Sequence, residues 1–341
     1  MGGGGVGGAY GDLTGGATGL AVVVGAVLDV TDDALDVIAA LLVVHFSNHP
    51  FGMPHKARLF LVTRGRRQPS AWVSLPQIPA SMRSSLKGAH VMSIFVMGDL
   101  HLSTDKSTNK SMEKFGKRWL GYTEKIRKNW EAVVTPQDTV IVPGDISWAM
   151  KLEEARSDFQ FIESLPGTKL IGKGNHDFWW TTASKMNAFF EENRIHSVKI
   201  LNNNAYFVEN QVLCGTRGWF LDEKQQVTVG SVDYEKIVNR EVIRLKLSLD
   251  SAVALQKKCA DQNGFSPPIS VFLHFPPVWL DFICRPFVDI LHAYGDPPCY
   301  FGHIHGMYNA PKEFDFEGIR MRLISSDSMD FVLHRLPEVK T

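Results

Sequence analysis

The chain has 341 residues, room for one large domain or two, and its 44% hydrophobic content can fill a substantial core. Thirty-six Lys and Arg balance 36 Asp and Glu, which excludes a global field that would recruit nucleic acid or an anionic membrane surface. The four cysteines, Cys214, Cys259, Cys284 and Cys299, are widely spaced and form no C-x-x-C pair, so the expectation is reduced core thiols in a cytoplasmic protein.

Residues 1–91 differ from the rest: they hold 14 of the 29 glycines but one of the eight tryptophans, Trp72. This shift places a boundary at Met92. Residues 1–91 are expected to be an N-terminal extension, disordered or a gene-model artefact with Met92 as the natural start; a small accessory domain is the alternative. Residues 20–46 are apolar, but Asp29, Asp32, Asp33 and Asp36 interrupt them. A carboxylate at a bilayer centre costs about 2.5–3.5 kcal/mol, so no span is expected. No basic segment precedes an apolar core in secretory fashion.

From residue 92 the pattern alternates. Apolar, β-branched-rich runs at 93–97, 139–142 and 169–171 read as buried strands, and helical spacing at 112–134, 149–165 and 183–193 follows each in turn. A β-α-β-α-β-α order implies an α/β domain with parallel strands and crossover helices. Between 198 and 220 the period shortens, so a second sheet is expected to begin there. A polar stretch at 221–240 reads as a surface insertion near a site, and a long helix is expected over 234–260. Strands at 269–273 and 299–301 bracket a helix at 284–294, and 319–324 with 331–334 reads as a closing hairpin.

A polar cluster follows each of five strands: Asp99-Leu-His101, Gly144-Asp145, Gly174-Asn175-His176-Asp177, His274, and Gly302-His303-Ile-His305. In open α/β sheets ligands bind beyond the carboxyl ends of the strands, so five strand ends are expected to build one site. Carboxylate oxygens and imidazole nitrogens without thiolates suit borderline divalent ions. Two such ions held together can clamp the attacking and leaving oxygens of a displacement at phosphorus. Each motif alone is weak, and a lone His274 would more often be structural; five in order carry the signal.

This order resembles the calcineurin-like metallophosphoesterase superfamily, whose signature runs D-x-H, G-D, G-N-H-[DE], H, G-H-x-H. The resemblance covers residues 93 to about 333. It implies a four-layer α/β/β/α sandwich of two mixed sheets with the metals at one edge. It implies one divalent ion on Asp99, His101, Asp145 and His305, and a second on Asp145, Asn175, His274 and His303, with Asp145 as the bridge. It further implies hydrolysis of a phosphomonoester or phosphodiester by a bridging hydroxide, with catalytic His176 assisting the leaving alcohol and Asp177 orienting His176. Manganese is the first expectation for the metal, iron or zinc the alternatives. Protein phosphatases of this superfamily carry G-D-x-V-D-R-G and G-N-H-E, whereas residues 144–150 read GDISWAM and the third motif ends in Asp177, so a protein substrate is not indicated.

A small phosphoester is the expected partner; nucleic acid is not indicated, and no membrane partner is. The rival readings are a nuclease of the same superfamily and a non-catalytic protein-binding scaffold, which loss of ligands would mark; none is lost. Trp179-Trp180 reads as core packing or a stacking platform, Arg217 as a phosphate clamp or a surface ion pair. Lys106, Lys110, Lys114, Lys117 and Arg118 read as a solvated helix face.

Overall fold

The structure is a computed structural model that describes residues 92–105, 110–219 and 234–339, together with five strands before Met92. The chain divides into two compact units, Met1–His90 and Val91–Thr341. In the first, β1 (Ala21–Ala26), β2 (Val37–His45), β3 (Lys56–Thr63), β4 (Arg66–Arg67) and β5 (Trp72–Ser74) form one antiparallel sheet. The rest of that unit, and with it most of what was expected of residues 1–91, lies outside the described residues.

In the second unit β6 (Ile94–Val96), β7 (Thr139–Val142), β8 (Thr168–Ile171) and β9 (Val198–Ile200) pair in parallel. They are joined by helices α1 (Tyr122–Val133), α2 (Arg156–Ser164) and α3 (Ala183–Glu192), which are the expected crossovers. The second sheet takes β10 (Asn204–Val208), β11 (Gln211–Thr216), β12 (Ile269–Leu273), β15 (Cys299–Phe301), β16 (Glu313–Phe316) and β17 (Ile319–Leu323) in the order β10-β11-β12-β15-β17-β16. Helices α4 (Tyr234–Asn263) and α5 (Arg285–Ala293) belong to this half, and β13 (Val278–Trp279) pairs with β14 (Phe282–Ile283) as a small ribbon. The last strand, β18 (His334–Arg335), returns antiparallel to β6, so both large sheets are mixed.

Side chains alternate along the inner strands and so divide the interior into three layers. Ile94, Val96 and Ile141 meet Leu213, Phe272 and Tyr300 between the two sheets. Phe95, Val140 and Val142 point the other way, onto Ile126 and Trp130 of α1 and Phe159 of α2. On the far side Cys214, Val271 and Leu273 pack against Leu245 and Leu249 of α4 and Val288 of α5. This is the α/β/β/α sandwich the resemblance implied. Strands buried on both faces read as unbroken apolar runs, which is why they stood out in the sequence. All four cysteines are buried and unpaired.

Two expectations about elements are corrected. Residues 112–134 are not one helix: Gly116 at φ 130° and Gly121 at φ 61° separate two 3₁₀ turns, Met112–Phe115 and Lys117–Trp119, from α1. An L-residue at those angles would be strained, so the chain turns where helical spacing continues. The closing hairpin is β16–β17; residues 331–334 instead carry the chain across to the first sheet, where hydrogen bonding to the free edge of β6 is available. The second sheet begins at β10, inside the 198–220 stretch where it was expected, while β9 still pairs with β8. The insertion expected at 221–240 falls, as far as residue 233, outside the described residues.

Candidate metal centre

The carboxyl ends of β6, β7, β8, β12 and β15 converge on one spot, and a backbone lattice ties their loops together. Gly98 N–H donates to Ile324 O at 2.8 Å, and Ser326 N–H to Gly98 O at 3.0 Å, joining the two sheets there. Asp99 N–H donates to Gly144 O at 3.1 Å and His101 N–H to Asp145 O at 2.8 Å. The loops run in sharply turned backbone: Asp99, His101, Asp145 and His303 have φ of 59°, 46°, 51° and 69°. Four non-glycine residues in the left-handed region, each costing on the order of 1–2 kcal/mol, mark a site where geometry is held at the expense of stability. Gly174 is required by close approach, because a Cβ there would stand 2.0 Å from Asp145 Oδ1.

Two groups result, each compact enough for its donor atoms to share an ion: Asp99, His101 and His305, and Asp145, His274 and His303. Asn175 Oδ1 adjoins the second, 2.6 Å from His274 Nε2 and 3.0 Å from His303 Nδ1. Asp145 Oδ2 lies between the groups, 3.5 Å from His101 Nε2 and 3.5 Å from His274 Nε2. All seven side chains expected to hold metal are thus brought together. His176 stands at their rim, its N–H donating to Asp145 Oδ1 at 2.8 Å and its ring 4.3 Å from Trp148.

The donor set fits two divalent ions on grounds of its own. Asp145 Oδ2 and His101 Nδ1 are buried with no hydrogen-bond partner among the described residues. An orphaned carboxylate oxygen in the interior is costly unless something positive meets it. Burial pushes the Asp145 carboxyl well above its usual range and Asp99 to about 6. Burial likewise holds His101 and His274 far below the usual imidazole value and His303 at about 4. Those rings are neutral at pH 7, the form whose lone pair can ligate. His305 is the exception: burial lowers it, but its hydrogen bond to Asp327 and the charge of Asp99 raise it more.

Asp177 does not orient His176. Its carboxylate accepts from the N–H groups of Asp145 (2.9 Å), Ile146 (2.8 Å), Ser147 (3.3 Å) and Gly174 (2.7 Å) and from Trp179 Nε1 (3.0 Å). All five donors lie on the loops after β7 and β8, so Asp177 clamps one loop to the other. The sequence could not show this, because backbone donors leave no mark on residue type.

Asp327 was missed. Fully buried, it receives His305 Nδ1 at 2.8 Å and Gly306 N–H at 2.9 Å, the support a ligating imidazole needs. Ser325 to Ser328, a buried polar run after β17, was the signal available. Trp148 was missed as well; it stacks on His101 at 5.0 Å. The basic run is no uniform solvated face. Arg118 lies 4.3 Å over the Tyr308 ring and bonds Asp327 O, while Lys106 falls outside the described residues. Trp179 is core, packed edge-on against Phe159, and Arg217 pairs with fully buried Glu241 rather than at the surface. Among the described residues no helix is long and apolar enough to cross a membrane.

No curated protein matches the chain. Solved structures similar to it include AQ665 of Aquifex aeolicus, a protein of unknown function (13% identity, TM-score 0.35, covering 72% of this chain and 95% of that one). Others are the phosphopantetheinyl hydrolase PptH of Mycobacterium tuberculosis (14%, 0.39, 73% and 98%) and TT1561 of Thermus thermophilus (12%, 0.39, 73% and 100%). Likeness of this size says nothing about substrate. The family described as calcineurin-like phosphoesterase matches residues 92–307, and the chain belongs to it.

Proposed function

We propose that the chain hydrolyses a phosphomonoester or phosphodiester with the help of two divalent ions. The observation that carries this is Asp145 Oδ2, buried, without a hydrogen bond, and equidistant from one imidazole of each group. Asp99, His101, Asp145 and His305 would hold one ion, Asp145, Asn175, His274 and His303 the other. When bound, such ions supply positive charge to the phosphoryl oxygens and a nucleophile from water at neutral pH. The rest is the work of the chain. His176, half-buried beside Asp145, keeps a neutral ring because burial lowers its pKa, and that ring donates an N–H to the departing oxygen. Trp148 stacks on the His101 ring and Trp119 meets the His305 ring edge-on, which holds both imidazoles in place. Manganese, and after it iron or zinc, suits this nitrogen and oxygen set.

The test is hydrolysis of p-nitrophenyl phosphate and bis-p-nitrophenyl phosphate by metal-free protein and after adding manganese. Metal-dependent release of nitrophenol supports the reading, and the preferred ester separates monoesterase from diesterase; a protein that binds no metal and cleaves neither ester refutes it. His176→Ala is expected to lower kcat by about 10²–10⁴-fold with metal content unchanged, checked by turnover alongside elemental analysis. Asp327→Ala frees the His305 ring to swing and is expected to weaken metal retention about 10–100-fold, read by titration against a chelating dye.

A further inference from the structure

Lys173, Trp180, Thr182, Asn202, Arg217 and Arg244 line a cavity of about 350 Å³. On that measure a single water needs only ~10–15 Å³, so the space admits a ligand group. It adjoins the metal loops: Lys173 directly precedes Gly174-Asn175, and Arg217 O accepts the N–H of His274 at 3.1 Å and of Phe275 at 2.9 Å.

Its charge is one-sided. Glu241 is fully buried, and its Oε1 takes Arg217 at 2.9 Å and Arg244 at 2.6 Å, with Arg240 at 3.6 Å. One carboxylate, whose other oxygen Oε2 is buried without a hydrogen-bond partner, therefore answers three guanidinium groups, while Arg217 Nε stays buried without a hydrogen-bond partner among the described residues. The carboxylates acting on Lys173 there are Asp177, saturated by backbone N–H groups, and Glu241 itself. The start of α3, capped by Thr182, adds N–H groups on the same wall. Trp180, Met186 and Ile200 supply an apolar side.

We propose that this cavity receives a second anionic group, phosphate or carboxylate, of a substrate whose scissile phosphoester lies at the metal centre. The assignment rests on the phosphoesterase reading above and narrows its substrate class to esters carrying two anionic groups. Fixed guanidinium and ammonium donors in a partly dry cavity favour an anion far more than exposed ones would.

The experiment compares three alkyl phosphates of equal chain length, ending in a second phosphate, a carboxylate or a methyl group, with manganese-loaded wild type, Lys173→Gln and Arg244→Gln. One doubly anionic ester is expected to exceed the methyl-ended one in kcat/KM by about tenfold, and which one it is identifies the group. Both variants should erase that advantage and leave the methyl-ended ester within about twofold. Equal rates for all three esters across several chain lengths, or variants that slow every ester alike, overturn the proposal. If none of the three is cleaved, the phosphoesterase reading is judged by the nitrophenyl esters, and the cavity by sulfate titration of metal-free protein. Saturable binding lost in both variants supports the site; no binding, or binding the variants retain, overturns it.

Discussion

Asp145→Asn is expected to abolish metal-dependent turnover, beyond about 10³-fold, and to remove the stability that metal confers. The size follows from position. Supporting residues around metal sites cost about 10–100-fold, but Asp145 Oδ2 lies 3.5 Å from an imidazole of each group, so its loss weakens both ions together. Asparagine keeps the shape: its carbonyl oxygen can still accept the His176 N–H that Asp145 Oδ1 accepts at 2.8 Å, and the loops after β7 and β8 remain joined. What disappears is the buried negative charge. In metal-free protein that charge is a burden, because its outer oxygen has no partner. The variant should therefore melt at or above the wild-type temperature without metal. With metal at 100 times the Kd of each site the wild type should gain about 2.7 kcal/mol per ion, which is roughly 5–10 °C for each of the two in a domain of this size, and the variant should gain little. A variant that still binds two ions and keeps its metal-induced shift would show that Asp145 is not shared.

How much of this was legible beforehand depends on which atoms do the work. Side chains that ligate carry their chemistry in their names, so Asp99, His101, Asp145, Asn175, His274, His303 and His305 stood out, and strand ends placed them together. The sheets were legible because Val140, Ile141 and Val142, or Val271, Phe272 and Leu273, are buried on both faces and so form unbroken runs. The helix expected over 112–134 misled because periodicity records which face is buried, not whether Gly116 and Gly121 turn the backbone. Strand partners were equally hidden: residues 331–334 have apolar character, but only the free edge of β6 decides where His334 and Arg335 pair. The cavity lined by Lys173 and Arg244 escaped notice because its cations lie far apart in the chain, and nothing in either neighbourhood names the other.

Asp177→Ala is expected to cost the protein a large part of its stability, and this outcome decides between two roles for that residue. Its carboxylate is buried and meets only donors: four backbone N–H groups and the Trp179 indole. Removing it strands all five where water does not reach. At about 1–3 kcal/mol for each unsatisfied buried group the loss is at least about 5 kcal/mol, comparable with the ~5–15 kcal/mol total stability of a domain. Asp177→Asn is the sharper variant. Its oxygen can serve Ile146, Ser147 and Trp179, but its NH₂ must then face the N–H groups of Asp145 and Gly174, which already converge on Oδ2 at 2.9 and 2.7 Å. Donor against donor should force the two loops apart. Urea unfolding is expected to show a fall in midpoint larger for Ala than for Asn, and metal affinity should fall with it, since Gly174 leads directly into Asn175. An Asp177→Asn protein with the wild-type midpoint and metal content but a reduced kcat would instead return Asp177 to the role of orienting His176. The geometry argues against that outcome, because every donor that reaches this carboxylate belongs to the two loops it fastens.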